Sequence, residues 1–205
     1  MTDSADVLHP LQNTWCFWEH RKGGSNYGSY GNSMAKIGTC NTVEGFWQFV
    51  NTYPEPAEVF SAKRRVRFSD REVEGVSLFK EGIRPEWEDI ANLKGGEWCF
   101  RRTLSPRALN WYWETLLMGL IGEAIDWADE ITGMRLVNKS KGERAMYRIE
   151  VWFRSQDLNT REKLKERMLD VLNNAEGGED VSTEDFSYRA HSEAITHHVG
   201  SGRRR

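Results

Sequence analysis

Residues 146–153 read Met146-Tyr147-Arg148-Ile149-Glu150-Val151-Trp152-Phe153, and this stretch decides the fold class. Side chains of a strand point alternately to its two faces, so one face is apolar throughout and the other carries Arg148, Glu150 and Trp152. A tryptophan on a polar face either packs under a loop or offers a flat surface to a ligand. With Arg148 pointing the same way, the second interpretation favours a base joined to phosphates.

The chain on both sides of this strand alternates between further strands and amphipathic helices. Strands are predicted over 11–18, 97–102, 135–139 and 186–191, with Gly95-Gly96 as a hairpin turn. Three helices are predicted to begin near Val43, at Ser105-Pro106 and at Thr160. Their apolar stripes need a common surface, and an antiparallel sheet with helices on one face provides it.

Composition narrows the function classes. A chain of 205 residues with no sharp change in composition predicts one domain, over 9–196, with a short flexible start at 1–8 and a flexible basic tail at 197–205. The acidic, polar beginning lacks a secretory signal, so we expect a protein that is cytoplasmic, or both cytoplasmic and nuclear. A net charge of −3 argues against a strongly basic surface that binds a nucleic acid along its phosphate backbone.

Cysteine and histidine usage predicts no cofactor and no metal site. Cys16, Cys40 and Cys99 are far apart and odd in number, which is typical of core thiols. The five histidines show no ligand spacing.

Nine tryptophans are the compositional anomaly, and Trp87 is the one with no apolar period to bury it. It lies in an acidic loop, where an exposed indole is suited to stacking on a cation such as the positively charged ring of N7-methylguanine. The carboxylate of the adjacent Glu88 can accept parallel hydrogen bonds from the N1–H and N2–H groups of guanine. The alternative is that Glu86, Glu88 and Asp89 form only a solvated acidic turn.

Several motifs in one order resemble the cap-binding translation initiation factor 4E family, from about His9 to Thr196. They are His9-Pro10-Leu11-Gln12, Trp15, Trp18, Thr42-Val43-Glu44 with Phe46-Trp47, Phe79-Lys80-Glu81-Gly82-Ile83 with Pro85 and Trp87-Glu88-Asp89, Gly95-Gly96 with Trp98, and Leu120-Ile121-Gly122-Glu123. The resemblance implies an α+β fold, a curved antiparallel β-sheet of about eight strands with three helices packed on the convex face. It also implies a capped mRNA as ligand.

The resemblance assigns the cap site residue by residue. Trp87 matches one of two stacking aromatics, and the other falls on Tyr30, where the family usually has Trp. Glu88 matches the guanine-reading carboxylate, and Trp152 the residue that touches the N7-methyl group. The phosphate-binding positions fall on or near Lys139, Lys141 and Arg148.

Three departures from the family pattern are visible. Tyr30, together with the second helix, resembles the 4E-homologous subclass, whose members often repress translation. Glu97 replaces a basic residue that is usual after Gly-Gly. The basic stretch Lys63–Arg71 lies in an insertion and either contacts RNA beyond the cap or is a solvated loop.

A second surface is implied for a protein partner. Periodicity alone would bury Trp47, but the family leaves this residue exposed for a helical peptide. The expected partner is an initiation scaffold of the 4G type or a 4E-binding protein. The chain itself is expected to be a monomer that joins a heteromeric complex with this partner. The expected surface comprises His9, Pro10, Val43, Trp47, Glu114, Leu117 and Met118.

Three functions follow from these observations. The chain recruits capped mRNA to an initiation scaffold, or it binds the cap as a repressor or storage factor. The third is a cap-hydrolysing enzyme that holds metal with Glu81, Glu86, Glu88 and Asp89, which is disfavoured because no Glu-x-x-Glu helix accompanies a Gly-rich phosphate loop.

Overall fold

The computed structural model describes residues 7–22, 33–60, 68, 70–141, 144–178 and 180–202. The strands are β1 (Pro10–Arg21), β2 (Met34–Thr42), β3 (Val73–Lys80), β4 (Gly96–Thr103), β5 (Ile131–Asn138), β6 (Met146–Phe153) and β7 (Phe186–Ala190). The helices are α1 (Val43–Thr52), α2 (Pro56–Phe60), α3 (Pro106–Ile121), α4 (Leu158–Asn174) and α5 (His191–Gly202). No helix in this part of the chain is both long enough and apolar enough to span a membrane.

The seven strands form one antiparallel sheet in the order β2-β1-β3-β5-β6-β4-β7. The predicted curved antiparallel sheet with helices packed on its convex face is confirmed, with seven strands rather than about eight among the described residues. The helices α1, α3 and α4 all bury apolar side chains in the convex core. The short helix α2 and the helix α5 were not predicted, and α5 extends beyond the predicted domain boundary at residue 196.

Local sequence explains where these helices begin. The Thr42 side chain accepts a hydrogen bond from the Gly45 amide and caps α1. Ser105 caps α3, with Pro106 in the first turn, as the sequence predicts. The third helix begins at Leu158, three residues earlier than a Thr160 cap would place it, because Asp157 is the cap and accepts the Thr160 amide at 2.8 Å.

The predicted hairpin at Gly95-Gly96 is wrong. Strand β4 pairs with β6 and β7, so no hairpin partner precedes it in the chain. Glycine is required at position 95 for a different reason, since a Cβ there would collide with the Phe153 carbonyl at the end of β6.

Registered strand pairs divide the sheet into two faces. The convex face carries the large core, with Trp15, Phe17, Trp98 and Phe100 buried in it. The concave face carries residues that are directly opposite one another in neighbouring strands and therefore point the same way. Three rows cross it: Cys16-Phe79-Gly133-Trp152-Glu97-Arg189, then Trp18-Ser77-Arg135-Glu150-Cys99-Ser187, then His20-Gly75-Val137-Arg148-Arg101.

We predict that Gly133→Ala lowers the free energy of unfolding by about 1–3 kcal/mol, because its Cβ would collide with the Leu78 carbonyl and the Phe79 ring. Urea unfolding followed by tryptophan fluorescence measures this change. Ser187→Ala, an exposed position on the same face, is the control and should change stability by no more than about 0.5 kcal/mol. Equal stability of the two variants would contradict the close approach at Gly133.

Candidate cap-binding site

The middle of the concave face is a small aromatic cluster. Trp152 is fully buried and meets the Phe79 ring edge-on, with centroids 5.3 Å apart. The Trp87 ring lies nearly parallel to that of Trp152, at 6.3 Å between centroids and 13° between planes. The cluster also includes Ile83 and, at its margin, Trp18. It therefore forms an apolar floor, with Trp87 as its outermost ring.

The expectation that Trp87 stands free in an exposed loop is wrong, because its indole is half-buried against this floor. The fully buried Asn92 shapes the loop by donating its side-chain amide to the carbonyls of Arg84 and Glu86, each at 2.9 Å. Asp89 accepts the amides of Arg84 and Ala91, also at 2.9 Å each. These bonds fix the backbone on both sides of Trp87.

The acidic side chains of the loop have separate uses. Glu86 forms an ion pair with Arg84 at 2.7 Å, and Asp89 caps backbone amides. Glu88 is exposed and makes no hydrogen bond or ion pair with the described part of the chain, so its carboxylate can accept a ligand's donors. Within the described ranges, no three His, Cys, Asp or Glu side chains are grouped so that they could hold a metal ion.

Two buried carboxylates lie beside the aromatic floor. Glu150 is fully buried and pairs with Arg135 at 2.7 Å and Arg148 at 2.5 Å, and its Oε2 also accepts the Trp152 indole N–H at 3.0 Å. Burial alone would raise the pKa of Glu150, but the two guanidinium groups outweigh it and hold the pKa below its ordinary value. Glu150 is therefore charged in the folded protein.

The second carboxylate, Glu97, is also fully buried. Its partners account for an acidic residue where the family usually has a basic one. Its Oε1 accepts two hydrogen bonds from Arg189, at 3.0 and 2.5 Å. Its Oε2 lies 3.6 Å from Nε2 of His191, whose Nδ1–H donates to the Asn92 carbonyl at 2.7 Å. A second ion pair thus stands next to the first.

Basic side chains gather at one end of the concave face. Lys139 is exposed there, and partial desolvation, reinforced by nearby Arg148 and Arg135, lowers its pKa. Lys141 is exposed two residues further along the chain. Sequence reasoning missed Arg101, which is exposed and directly opposite Arg148 in the β4–β6 register. The alternation of side chains along β4 puts Arg101 on the same face as Glu97 and Cys99. That this face is the one that carries Arg148 becomes clear only from the pairing of β4 with β6.

The structure brings several predicted site residues together and changes the setting of others. Trp87, Trp152 and Lys139 share the concave side, with Glu88 exposed next to Trp87 in the chain, but Trp152 is beneath Trp87 and is not itself accessible. The Arg148 side chain is only 12% exposed and is held by Glu150, so it is less free for phosphate than expected. Tyr30 lies outside the described residues.

Part of the basic insertion also has a structural use. Arg71 donates from Nε and Nη2 to the buried Glu19, at 2.7 and 2.8 Å, and its guanidinium lies 3.8 Å from the centroid of the Phe68 ring. Arg71 is therefore engaged within the fold. Lys63, Arg64, Arg65 and Arg67 lie outside the described residues.

The predicted partner surface lies on the opposite side of the sheet. Val43, Glu114 and Met118 are exposed, and Trp47 is half-buried with its ring edge-on to Phe46 at 5.2 Å. His9 is held at the start of α1, where its Nδ1 lies 2.6 Å from Glu44, and this hydrogen bond lowers the pKa of Glu44 to about 2. Pro10, which begins β1, is also exposed.

Leu117 differs from this expectation. It is 1% exposed because α3 turns it toward the convex core. There it lines a cavity of about 440 Å³ between the end of α1 and α3.

Comparison with known proteins decides the family. The model of the family "Eukaryotic initiation factor 4E" matches residues 10–204. The chain belongs to this family. Eukaryotic translation initiation factor 4E of Saccharomyces cerevisiae is 32% identical over 160 residues, covering 77% of this chain and 68% of that protein. Factor 4E-2 of Schizosaccharomyces pombe is 34% identical over 188 residues, covering 91% and 68%.

A solved structure extends the likeness to three dimensions. The complex of C. elegans eIF4E-3 with the 4E-binding protein Mextli and a cap analog superposes with a TM-score of 0.72 at 25% identity, covering 93% of this chain and 96% of that one. The fold and the family predicted from the sequence are thus confirmed.

His20 makes the stability of the folded protein depend on pH. Burial and the nearby Arg135 lower its pKa from 6.5 to about 3, partly opposed by Glu150. In the unfolded chain, His20 therefore takes up a proton below about pH 6.5, whereas in the folded protein it stays neutral until about pH 3. The free energy of unfolding therefore falls as the pH is lowered from 6.5 to 3.

We predict that His20→Gln, which can keep the 2.9 Å hydrogen bond to Ser77, reduces this loss. Between pH 6.5 and 5, the free energy of unfolding of the unmodified protein should fall up to about 1.4 kcal/mol per pH unit more steeply than that of the variant. Urea titrations at each pH measure both slopes. Parallel slopes would show that His20 is not held neutral.

Proposed function

We propose that this chain binds the N7-methylguanosine 5′ cap of mRNA on the concave face and links it to a translation initiation scaffold. The observation that carries the proposal is the pairing of Trp87 with the exposed Glu88 carboxylate on a loop whose backbone Asn92 and Asp89 hold in place. An indole stacks on the cationic base, and a carboxylate beside it reads the guanine edge. The cap analog in the C. elegans eIF4E-3 complex supports this assignment.

The charges along the face give the ligand a direction. With the base at Trp87 and Glu88, its phosphates extend toward the basic end of the face, where Lys139, Lys141 and Arg101 are exposed. Arg148 attracts the phosphates chiefly through its long-range electrostatic field, because its side chain is held by Glu150. This local set of cations accounts for RNA binding by a chain whose net charge is −3.

The two remaining aromatics have conditional roles. Trp152 reaches a methyl group on the base only when Trp87 moves outward, because Trp87 lies over it in the free protein. We assign Tyr30 as the opposing stacking ring, on the strength of its place in the family motif. Tyrosine stacks on a cation less strongly than tryptophan, which lowers the expected affinity for the cap.

The α1–α3 surface is proposed to bind a helical segment of a scaffold or of a 4E-binding protein. Exposed Val43 and Met118 offer apolar contacts, and exposed Glu114 can pair with a cation on that segment. The Mextli protein in the C. elegans complex is a partner of the second kind. A repressor that binds the same cap would use the same surface with a different partner. Either role fits a cytoplasmic protein.

We predict that Trp87→Ala reduces binding of N7-methyl-GTP below detection in a fluorescence or calorimetric titration, because the cation loses its aromatic partner. Unmethylated GTP should bind the unmodified protein weakly from the start, since its base is neutral. Trp127→Ala is the matched control, because Trp127 is also partly exposed but packs against Lys163 and Arg167 of α4. Equal affinity for the two nucleotides would refute recognition by cation stacking.

We predict that Trp47→Ala leaves the affinity for N7-methyl-GTP unchanged and abolishes capture of the partner on a cap resin. Met118→Glu is the companion variant, because Met118 is 40% exposed and its replacement should not disturb the core. Mass spectrometry of the captured proteins then separates the roles: a helicase-bearing scaffold indicates initiation, and its absence indicates repression. Loss of cap binding in both variants would contradict a separate partner surface.

A further inference from the structure

Arg189 occupies a position that the proposed function would give to the ligand. In the β4–β7 register it is directly opposite Glu97, and its guanidinium carbon lies 5.0 Å from the centroid of the Trp87 ring. This distance is within the range of a cation–π contact. The stacking residue therefore has a positively charged planar group close to it.

Glu97 fixes Arg189 in this place. The carboxylate is fully buried and accepts both Nε–H and Nη2–H of Arg189, so the guanidinium has a defined orientation. The Arg189 side chain is nevertheless 31% exposed and belongs to the edge strand β7. Its guanidinium can shift away from the Trp87 ring toward solvent without crossing the core, while Glu97 remains its hydrogen-bond partner.

Arg135 also lies near the ring, at 5.7 Å, but it differs in mobility. Its side chain is buried, bonded to Glu150, and closer to Trp152, at 4.7 Å. It belongs to the permanent floor of the site. Arg189 is the cation of the two that can leave.

We propose that Arg189, held by Glu97, is an internal competitor for the cap: it occupies the cation position at Trp87 in the free protein and is displaced when the methylated base binds. This inference rests on the proposed function. Both methylated and unmethylated nucleotides must displace the same guanidinium, so the contact lowers affinity for both by a similar factor. It sets how tightly the cap binds rather than which base is chosen.

The test uses the double variant Glu97→Gln/Arg189→Gln, which removes one charge of each sign and leaves the net charge unchanged. The amide that replaces the Glu97 carboxylate can donate a hydrogen toward Nε2 of His191, so the buried position keeps a partner. From the strength of one cation–π contact, we expect the variant to bind N7-methyl-GTP about three- to tenfold more tightly, and GTP to gain by a similar factor. Arg161→Gln is the matched control and should change neither affinity, because Arg161 makes the same kind of contact with Tyr188, at 3.6 Å, on the convex side.

A second measurement needs no ligand. In protein labelled with 5-fluorotryptophan, the ¹⁹F resonance of Trp87, assigned by its loss in Trp87→Phe, should shift in the double variant and broaden more with a soluble paramagnetic chelate. An unchanged resonance with unchanged affinity would overturn the proposal. Weaker binding by the double variant would also overturn it, because Arg189 would then be a phosphate ligand. If the resonance shifts but the unmodified protein and its variants bind no N7-methyl-GTP, the Arg189–Trp87 contact stands and the proposed function fails.

Discussion

The concave face depends on one ion-pair cluster, in which the fully buried Glu150 is held by Arg135, Arg148 and the indole N–H of Trp152. A buried carboxylate loses several kcal/mol of hydration, and removing one partner of such a pair typically costs about 3–5 kcal/mol. Glu150 therefore requires its arginines, and the arginines require the register that brings β5 and β6 together. Because Trp152 donates to the same carboxylate, the aromatic floor is oriented by the charge cluster beside it.

This arrangement makes the two faces of the sheet different in kind. The convex face is stabilised by burial of apolar surface, which depends on volume and tolerates similar side chains. The concave face mixes aromatic rings with buried charge, where each group has a specific partner. Substitutions on the convex face should act mainly through stability, whereas those on the concave face also change how the ligand site is oriented.

Sequence patterns were sufficient where one physical signal dominated. Strand β6 was predicted to the residue because its alternation is uninterrupted, and α1 and α3 began where Thr42 and Ser105 cap them. Strand β3 was missed because six consecutive residues, Gly75–Lys80, are buried, so alternation between polar and apolar residues is lost. The half-burial of Trp87 was missed because the loop is held by Asn92, whose side-chain hydrogen bonds to the carbonyls of Arg84 and Glu86 leave no period in the sequence.

The residues that sequence reasoning could not assign to the site share one property: their roles depend on pairing between strands. Glu97 looked like a departure from the family until Arg189 was found directly opposite it, more than ninety residues along the chain. Where the family usually has a basic residue, this chain has Glu97, which is paired with Arg189. The Arg189 guanidinium lies beside the Trp87 ring. A single substitution in a family motif therefore cannot be interpreted alone, because its consequence is set by the residue that the sheet brings across from it.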